Sequence, residues 1–230
     1  MSTASAAAPQ SIPVGPSVLG DLIAPSRIES VSDFLLNALL VLGGVGFVAL
    51  LAQVTIPTTP VPVTGQTLGV ILVGSALGSV RGVVSMLLYL GLGLFLPILA
   101  GGESGVLNDI GTATGATAGY LIGFVVAAGV VGWLSEKGRD RRFTSALGAF
   151  VVGELIIFAF GLIGLKMAAP ELVEAGFMES SSWGTVLEDG FVFFFGWEIL
   201  KAAIAALLMP AAWKIADLRR SREARPKADN

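Results

Sequence analysis

The chain has 230 residues, 54% of them hydrophobic and 13% charged, with a mean hydropathy of +0.82 and a formal charge of −3. Soluble domains are roughly 45 to 50% apolar and 25% charged, so water is not the main solvent of this chain. Cysteine and histidine are both absent, which excludes disulfides, Ser-His-Asp and Cys-His catalysis, zinc sites built on Cys and His, and haem held by either.

Residues 1–30 are rich in Ala, Ser and Pro, carry no Lys or Arg before Arg27, and read as a flexible tail without the basic start and apolar core of a signal peptide. Six apolar blocks follow, each near the roughly 20 residues that a membrane span takes. The first runs from Phe34 to Gln53 and ends in "TIPTTPVPVTG", whose prolines exclude regular helix. Gln66 to Val80 is the second, and Arg81 and Gly82 separate it from the third, Val83 to Leu99. The glycine-rich stretch "AGGESGVLNDIGTATG" reads as a loop. Thr117 to Leu134 is the fourth span, the basic link "EKGRDRR" comes next, and Ser145 to about Met167 is the fifth. An acidic loop of about 20 residues leads to the sixth, which starts at Gly190 or near Gly196 and ends near Trp213. The expected fold is an all-α integral membrane bundle of about six transmembrane helices, residues 31–218, followed by a basic tail, 219–230.

Lys and Arg concentrate in cytoplasmic loops. In the six-span reading 12 of the 14 basic residues fall on one side, among them Arg27, Arg81, Lys137, Arg139, Arg141, Arg142 and those of the C-terminal tail. Only Lys166 falls on the other, with the acids Glu103, Asp109, Glu171, Glu174, Glu179, Glu188 and Asp189. Both termini are therefore expected in the cytoplasm, and the protein in a bacterial cytoplasmic membrane as a multi-pass chain. Many of the 30 glycines lie inside spans, where small residues let helices approach closely in lipid. Gly44, Val48 and Ala52, four apart on one face of the first span, form a candidate groove for a partner helix.

Charges inside a span cost about 2.5 to 3.5 kcal/mol each. Three stand there: Glu154, Glu198 and Lys201. Glu198 and Lys201, three apart, share a helix face. Two readings stay open: an ion pair that only lowers their mutual cost, or a site in which Lys201 receives a substrate carboxylate and Glu198 accepts from substrate N–H groups. Near the start of the sixth helix, backbone amides add a preference for an anion. Glu154 is divided between a protonated packing group and a functional one. The outer stretches "VPVTGQT" and "AGGESGVLNDIGTATGATAGY" set Thr64, Gln66, Asn108, Thr117 and Tyr120 beside non-helical backbone, as ordinary loops or as a cavity lining. Asn and Gln both donate and accept, which suits a urea or amide ligand. No G-x-x-x-x-G-K-[ST] loop and no nucleophile elbow is present, so neither ATP hydrolysis nor an enzyme is expected, and no cofactor or metal. The short basic tail after a span reads as an orientation signal and lipid-headgroup contact, with no nucleic acid as partner.

Taken in order, "AQVTIPTTPVPVTGQTLGVILVGSALGSVRGVVSMLLYLGLGLFLPILAGG", Ala52 to Gly102, resembles the BioY family of biotin transporters, substrate-binding (S) components of energy-coupling factor (ECF) transporters. It is similar to that family's Pro-Val-Pro-x-Thr-x-Gln-Thr segment, its Leu-Tyr-Leu-x-Leu-Gly helix and its Gly-Gly turn. "GATAGYLIGF", Gly115 to Phe124, is similar to the family's Gly-Pro-Thr-Gly-Gly-Tyr segment, with Ala116 and Ala118 in place of a proline and a glycine. "GWEILKAA" stands where the family has Pro-Gly-Asp-x-x-Lys-Ala, so Lys201 matches while Gly196, Trp197 and Glu198 depart. The resemblance implies high-affinity biotin binding and uptake, with contacts from Lys201 and Glu198 and pocket positions at Asn108, Tyr120 and Gln66, beside the candidate Thr117. It implies as partners a transmembrane coupling protein, met through an Ala-x-x-x-Ala contact where Val45 and Ala49 stand here, and two ATPase subunits. Two alternatives remain: the same type of component for another vitamin, and a membrane scaffold without small ligand.

Overall fold

The computed structural model describes residues 16–24, 28–106 and 115–223. Asn108, Asp109, Arg27, Arg225 and Lys227 lie outside the described residues. Among the described residues the fold is helical: α1 (Val31–Ala52), α2 (Gln66–Leu77), α3 (Ser79–Gly93), α4 (Ala118–Glu136), α5 (Phe143–Glu174), α6 (Trp183–Gly190) and α7 (Phe195–Glu223). A two-stranded antiparallel ribbon, β1 (Thr55–Ile56) and β2 (Val63–Thr64), joins α1 to α2 with Thr55 opposite Thr64.

Local chemistry explains the boundaries. The Ser30 hydroxyl accepts from the Asp33 amide while the Asp33 carboxylate accepts from the Ser30 amide, a capping box that starts α1. The boundary between α2 and α3 falls at Gly78, not at Arg81 and Gly82 as expected. Gly78 adopts φ 88° and ψ 176°, a conformation essentially reserved for glycine. Arg81 instead sits inside α3, where its charge is partnered. Its Nη1 pairs with Asp21 at 3.0 Å, its Nε donates to Asn37 Oδ1 at 2.5 Å, and its Nη2 donates to the Ala24 carbonyl at 2.8 Å.

Two of those partners, Asp21 and Ala24, belong to a segment expected as tail. Pro16–Ala24 carries a 3-10 turn, Leu19–Leu22, with Val18 2% and Ala24 1% exposed. Burial alone would push the Asp21 carboxyl up, but the Ser17 hydroxyl, the Val18 amide and Arg81 outweigh it and hold the group below its usual 3.8. Arg141, in the link between α4 and α5, donates to the Pro16 carbonyl at 2.8 Å, so this segment spans the basic end of the bundle.

The fifth helix outruns its expected end at Met167 and continues through Pro170 to Glu174, its buried Ala168, Ala169 and Leu172 holding the extra turns against the core. The acidic loop thereby shortens and contains a further short helix, α6. Lys166 donates to the Ser181 carbonyl and sits 5.6 Å from the Trp183 ring, tying α5 to that helix. Of the two candidate starts for the last helix, the later one is close: α7 begins at Phe195, after a 3-10 turn over Val192–Phe194.

Helix α4 is the hub, packing on α5, α2 and α3. Glycine permits this: a Cβ on Gly119 would lie 2.4 Å from the Phe160 carbonyl oxygen, and one on Gly74 would lie 2.7 Å from that of Ala128. The candidate groove on α1 is filled from within. Gly44 faces Ser85, Val73 and Leu77, and Val48 packs on Gly69, so the protein's own α2 and α3 occupy that face. Four segments, Val31–Ala52, Ala118–Glu136, Phe143–Glu174 and Trp183–Arg222, are long and apolar enough to cross a membrane, while α2 and α3 are shorter apolar helices. The chain is a multi-pass membrane protein, with Phe34, Leu39 and Leu50 of α1 and Leu200, Leu207 and Leu208 of α7 exposed on its flanks.

Candidate functional site

A cavity lies where the starts of α2, α4 and α7 converge. Gln66 and Thr67 enter it from α2, Thr117 and Tyr120 from the head of α4, and Glu198 and Lys201 from the first turns of α7. Val61 and Pro62, in the connection between β1 and β2, line it together with Leu99, Glu103 and Val106, while Leu121, Phe124, Phe158 and Phe194 form an apolar wall. Neither N-cap residue, Gly65 of α2 or Thr117 of α4, makes a side-chain cap bond, and the Gln66 amide donates to the Thr64 hydroxyl at 3.3 Å. Their amides and the three helix dipoles favour an electron-rich ligand group at this end.

The polar centre is a closed triangle. Lys201 Nζ donates to Glu198 Oε1 at 2.7 Å and to Thr67 Oγ1 at 3.1 Å, and the Thr67 hydroxyl donates to Glu198 Oε2 at 2.7 Å. Glu198 and Thr67 are buried, and the Lys201 side chain is nearly so. The spacing of three on α7 brings the acid and base together, as the sequence implied, but it is α2 that completes their hydrogen bonding. An ammonium donor and a carboxylate acceptor side by side match a ligand group that offers C=O and N–H side by side.

Gln66 is held in place rather than left to swing. Its Nε2 donates to the Tyr89 hydroxyl at 2.8 Å, Tyr89 donates to the Ile98 carbonyl at 3.0 Å, and Thr64 donates to Gln66 Oε1 at 3.0 Å. Tyr120 donates to the Gly190 carbonyl at 2.8 Å, fixing the end of α6 beside the cavity, and its ring meets Phe158 edge to face at 5.7 Å. Gly161 makes room for that ring, since a Cβ there would stand 2.2 Å from it.

Of the residues singled out in the sequence, Lys201, Glu198, Gln66, Thr117, Tyr120 and Thr64 line this one cavity. Asn108 is outside the described residues. Thr67 and Tyr89 escaped sequence reasoning, although both stand inside quoted motifs, one beside Gln66 and the other in the Leu-Tyr-Leu run. Trp197, which departs from the family pattern, is 44% exposed and absent from the cavity lining, so its indole does not narrow the site.

Comparison with known proteins agrees with this architecture. The chain is similar to a biotin transporter BioY of Rhizobium etli, 32% identical over 167 residues that cover 69% of this chain and 81% of that protein. It is also similar to the biotin transporter BioY2 of Lactococcus lactis subsp. cremoris, 32% identical over 168 residues that cover 71% and 82%. In fold it resembles the crystal structure of the S-component for biotin from an ECF-type ABC transporter, with a TM-score of 0.66 at 20% identity over 81% of this chain and 95% of that one. Residues 26–217 match the BioY family, and the chain belongs to it.

Proposed function

We propose that this chain binds biotin and takes it up across the membrane as the substrate-binding component of an ECF transporter. The observation that carries the reading is the buried Lys201, Glu198 and Thr67 triangle in a cavity with largely apolar and aromatic walls, within a chain of the BioY family. Biotin has a ureido ring at one end, a carboxylate at the other and an apolar chain between. Because Glu198 and Lys201 touch, both meet the same end of the ligand. A carboxylate on Lys201 would also face the Glu198 charge, whereas a ureido ring uses both partners, its C=O accepting from Lys201 and an N–H donating to Glu198. This revises the expectation that Lys201 takes the carboxylate. That group then lies toward Thr64, Gln66 and Thr117, beside the heads of α2 and α4.

In this reading residues 31–218 form the substrate-binding domain and six helices, α1 to α5 and α7, cross the bacterial cytoplasmic membrane. The basic end, with both termini, faces the cytoplasm, and the cavity opens outward. A transmembrane coupling protein and two ATPase subunits supply the energy. The chain is no enzyme: its task is to bind and release an unchanged ligand.

The test is titration of the purified protein with biotin and with a panel of other vitamins, read by calorimetry and thermal unfolding. A ligand that binds only the folded state raises the unfolding temperature. Biotin alone is expected to do so at submicromolar concentration. Stabilisation by a different vitamin, or by none, overturns the proposal.

A further inference from the structure

Glu198 stands in the wall between two cavities. Beside the one just described lies a cleft between α5 and α7, lined among others by Val151, Glu154, Leu155, Phe195 and Ile199 as well as by Glu198. Glu154 and Glu198 are its only polar lining residues among those described. Glu154 is 5% exposed, and neither of its carboxyl oxygens accepts a hydrogen bond from a side-chain or backbone donor, while the Glu198 carboxylate lies within its reach. An ionised carboxylate there would lack a donor and face the Glu198 charge, which costs far more than carrying a proton. The neutral acid has one O–H to give, and the Glu198 carboxylate is the acceptor that shares its cleft. In the empty site both Glu198 oxygens are already engaged, one by Lys201 and one by Thr67.

A ligand whose C=O takes Lys201 competes with its 2.7 Å contact to Glu198 and draws the two apart. Glu198 then loses its cation in a low-dielectric setting. We propose that Glu154, as a neutral acid, is the hydrogen-bond donor that receives the Glu198 carboxylate when the ligand separates it from Lys201. The O–H···O⁻ bond so formed is among the stronger hydrogen bonds. No proton enters or leaves: one donor replaces another, and Lys201 is freed for the ligand. Glu154 is thus a positioning residue for Glu198. The charged and titratable groups around it are Glu198 and Lys201 on α7 and Tyr120 on α4, whose hydroxyl is committed to Gly190. Helix α2 has no ionisable side chain, and on α6 Glu188 is exposed and Asp189 half-buried. The proposal rests on the reading that a polar end of biotin lies at the triangle.

Three forms of the purified protein, wild type, Glu154→Gln and Glu154→Met, are titrated with biotin from neutral to alkaline pH, with unliganded thermal unfolding recorded for each. Met fills the Glu volume and removes a buried acid, so that variant is expected to fold at least as stably. Gln keeps an N–H donor and is expected to bind within about threefold of wild type, whereas Met weakens binding about tenfold, the worth of one such bond. Wild-type affinity falls at alkaline pH as the O–H is lost, and Glu154→Gln stays level. The proposal is overturned if Glu154→Met binds like wild type, if Glu154→Gln is as weak as Met, or if wild type and Gln share one pH profile. A wild type that binds no biotin overturns the functional reading itself, and this proposal with it.

Discussion

Lys201→Met tests the centre of the site. At 2.7 Å the attraction between Lys201 and Glu198 is about 6 kcal/mol gross at an effective dielectric of about 20. Desolvation of two buried charges offsets most of it, so the pair adds little net stability. Removing one partner is another matter. Glu198 keeps the Thr67 hydroxyl and can turn to the Glu154 donor but has no cation, and an unpaired buried charge costs about 3 to 5 kcal/mol of stability. The double variant Glu198→Gln with Lys201→Met is therefore expected to recover most of the lost unfolding temperature. Affinity behaves differently, because the ammonium donor to the ligand is gone in both variants. A charged hydrogen bond is worth about 1.5 to 3 kcal/mol, which corresponds to roughly 10- to 150-fold weaker biotin binding. Calorimetric titration with biotin and with its methyl ester separates the two ends of the ligand. With the ureido ring at Lys201, the variant loses affinity for both ligands by the same factor. A folded Lys201→Met protein that binds biotin within about twofold of wild type would refute the reasoning. Equal affinity of variant and wild type for the ester, with loss for biotin alone, would place the carboxylate at Lys201 instead.

Tyr120→Phe removes the donor to the Gly190 carbonyl and should cost about 1 to 2 kcal/mol of stability, read as a lower unfolding temperature, with faster biotin release as the end of α6 loosens. Gly119→Ala drives a methyl to 2.4 Å from the Phe160 carbonyl oxygen and should cost about 1 to 3 kcal/mol by forcing α4 from α5, whereas Gly43→Ala, with nothing within 4 Å, should be silent. The Asp21 carboxyl is held below 3.8 in the folded protein, so the stability it supplies through Arg81 is present above that pH and is lost as pH falls through the folded value. Unfolding measured against pH should show a shallower acid decline in Asp21→Asn, and an unchanged decline would mean that other carboxylates dominate.

Much of this protein is legible in the chain by itself. Apolar blocks of span length, the absence of Cys and His, and the gathering of most basic residues in links and tail between those blocks follow from composition and spacing alone, since lipid imposes length and polarity on each helix separately. The pairing of Glu198 with Lys201 was equally readable, because a separation of three on a helix fixes a shared face. What lies between helices was not. Gly78 rather than Arg81 breaks the hairpin, because whether an arginine is tolerable inside a helix depends on Asp21, Asn37 and Ala24, far from it in sequence. Thr67, Tyr89 and the cleft that joins Glu154 to Glu198 likewise belong to no local pattern. Local sequence determined which segments leave water. Only tertiary packing decided which polar side chains meet once water is gone, because a buried polar group takes whatever partner the neighbouring helix supplies.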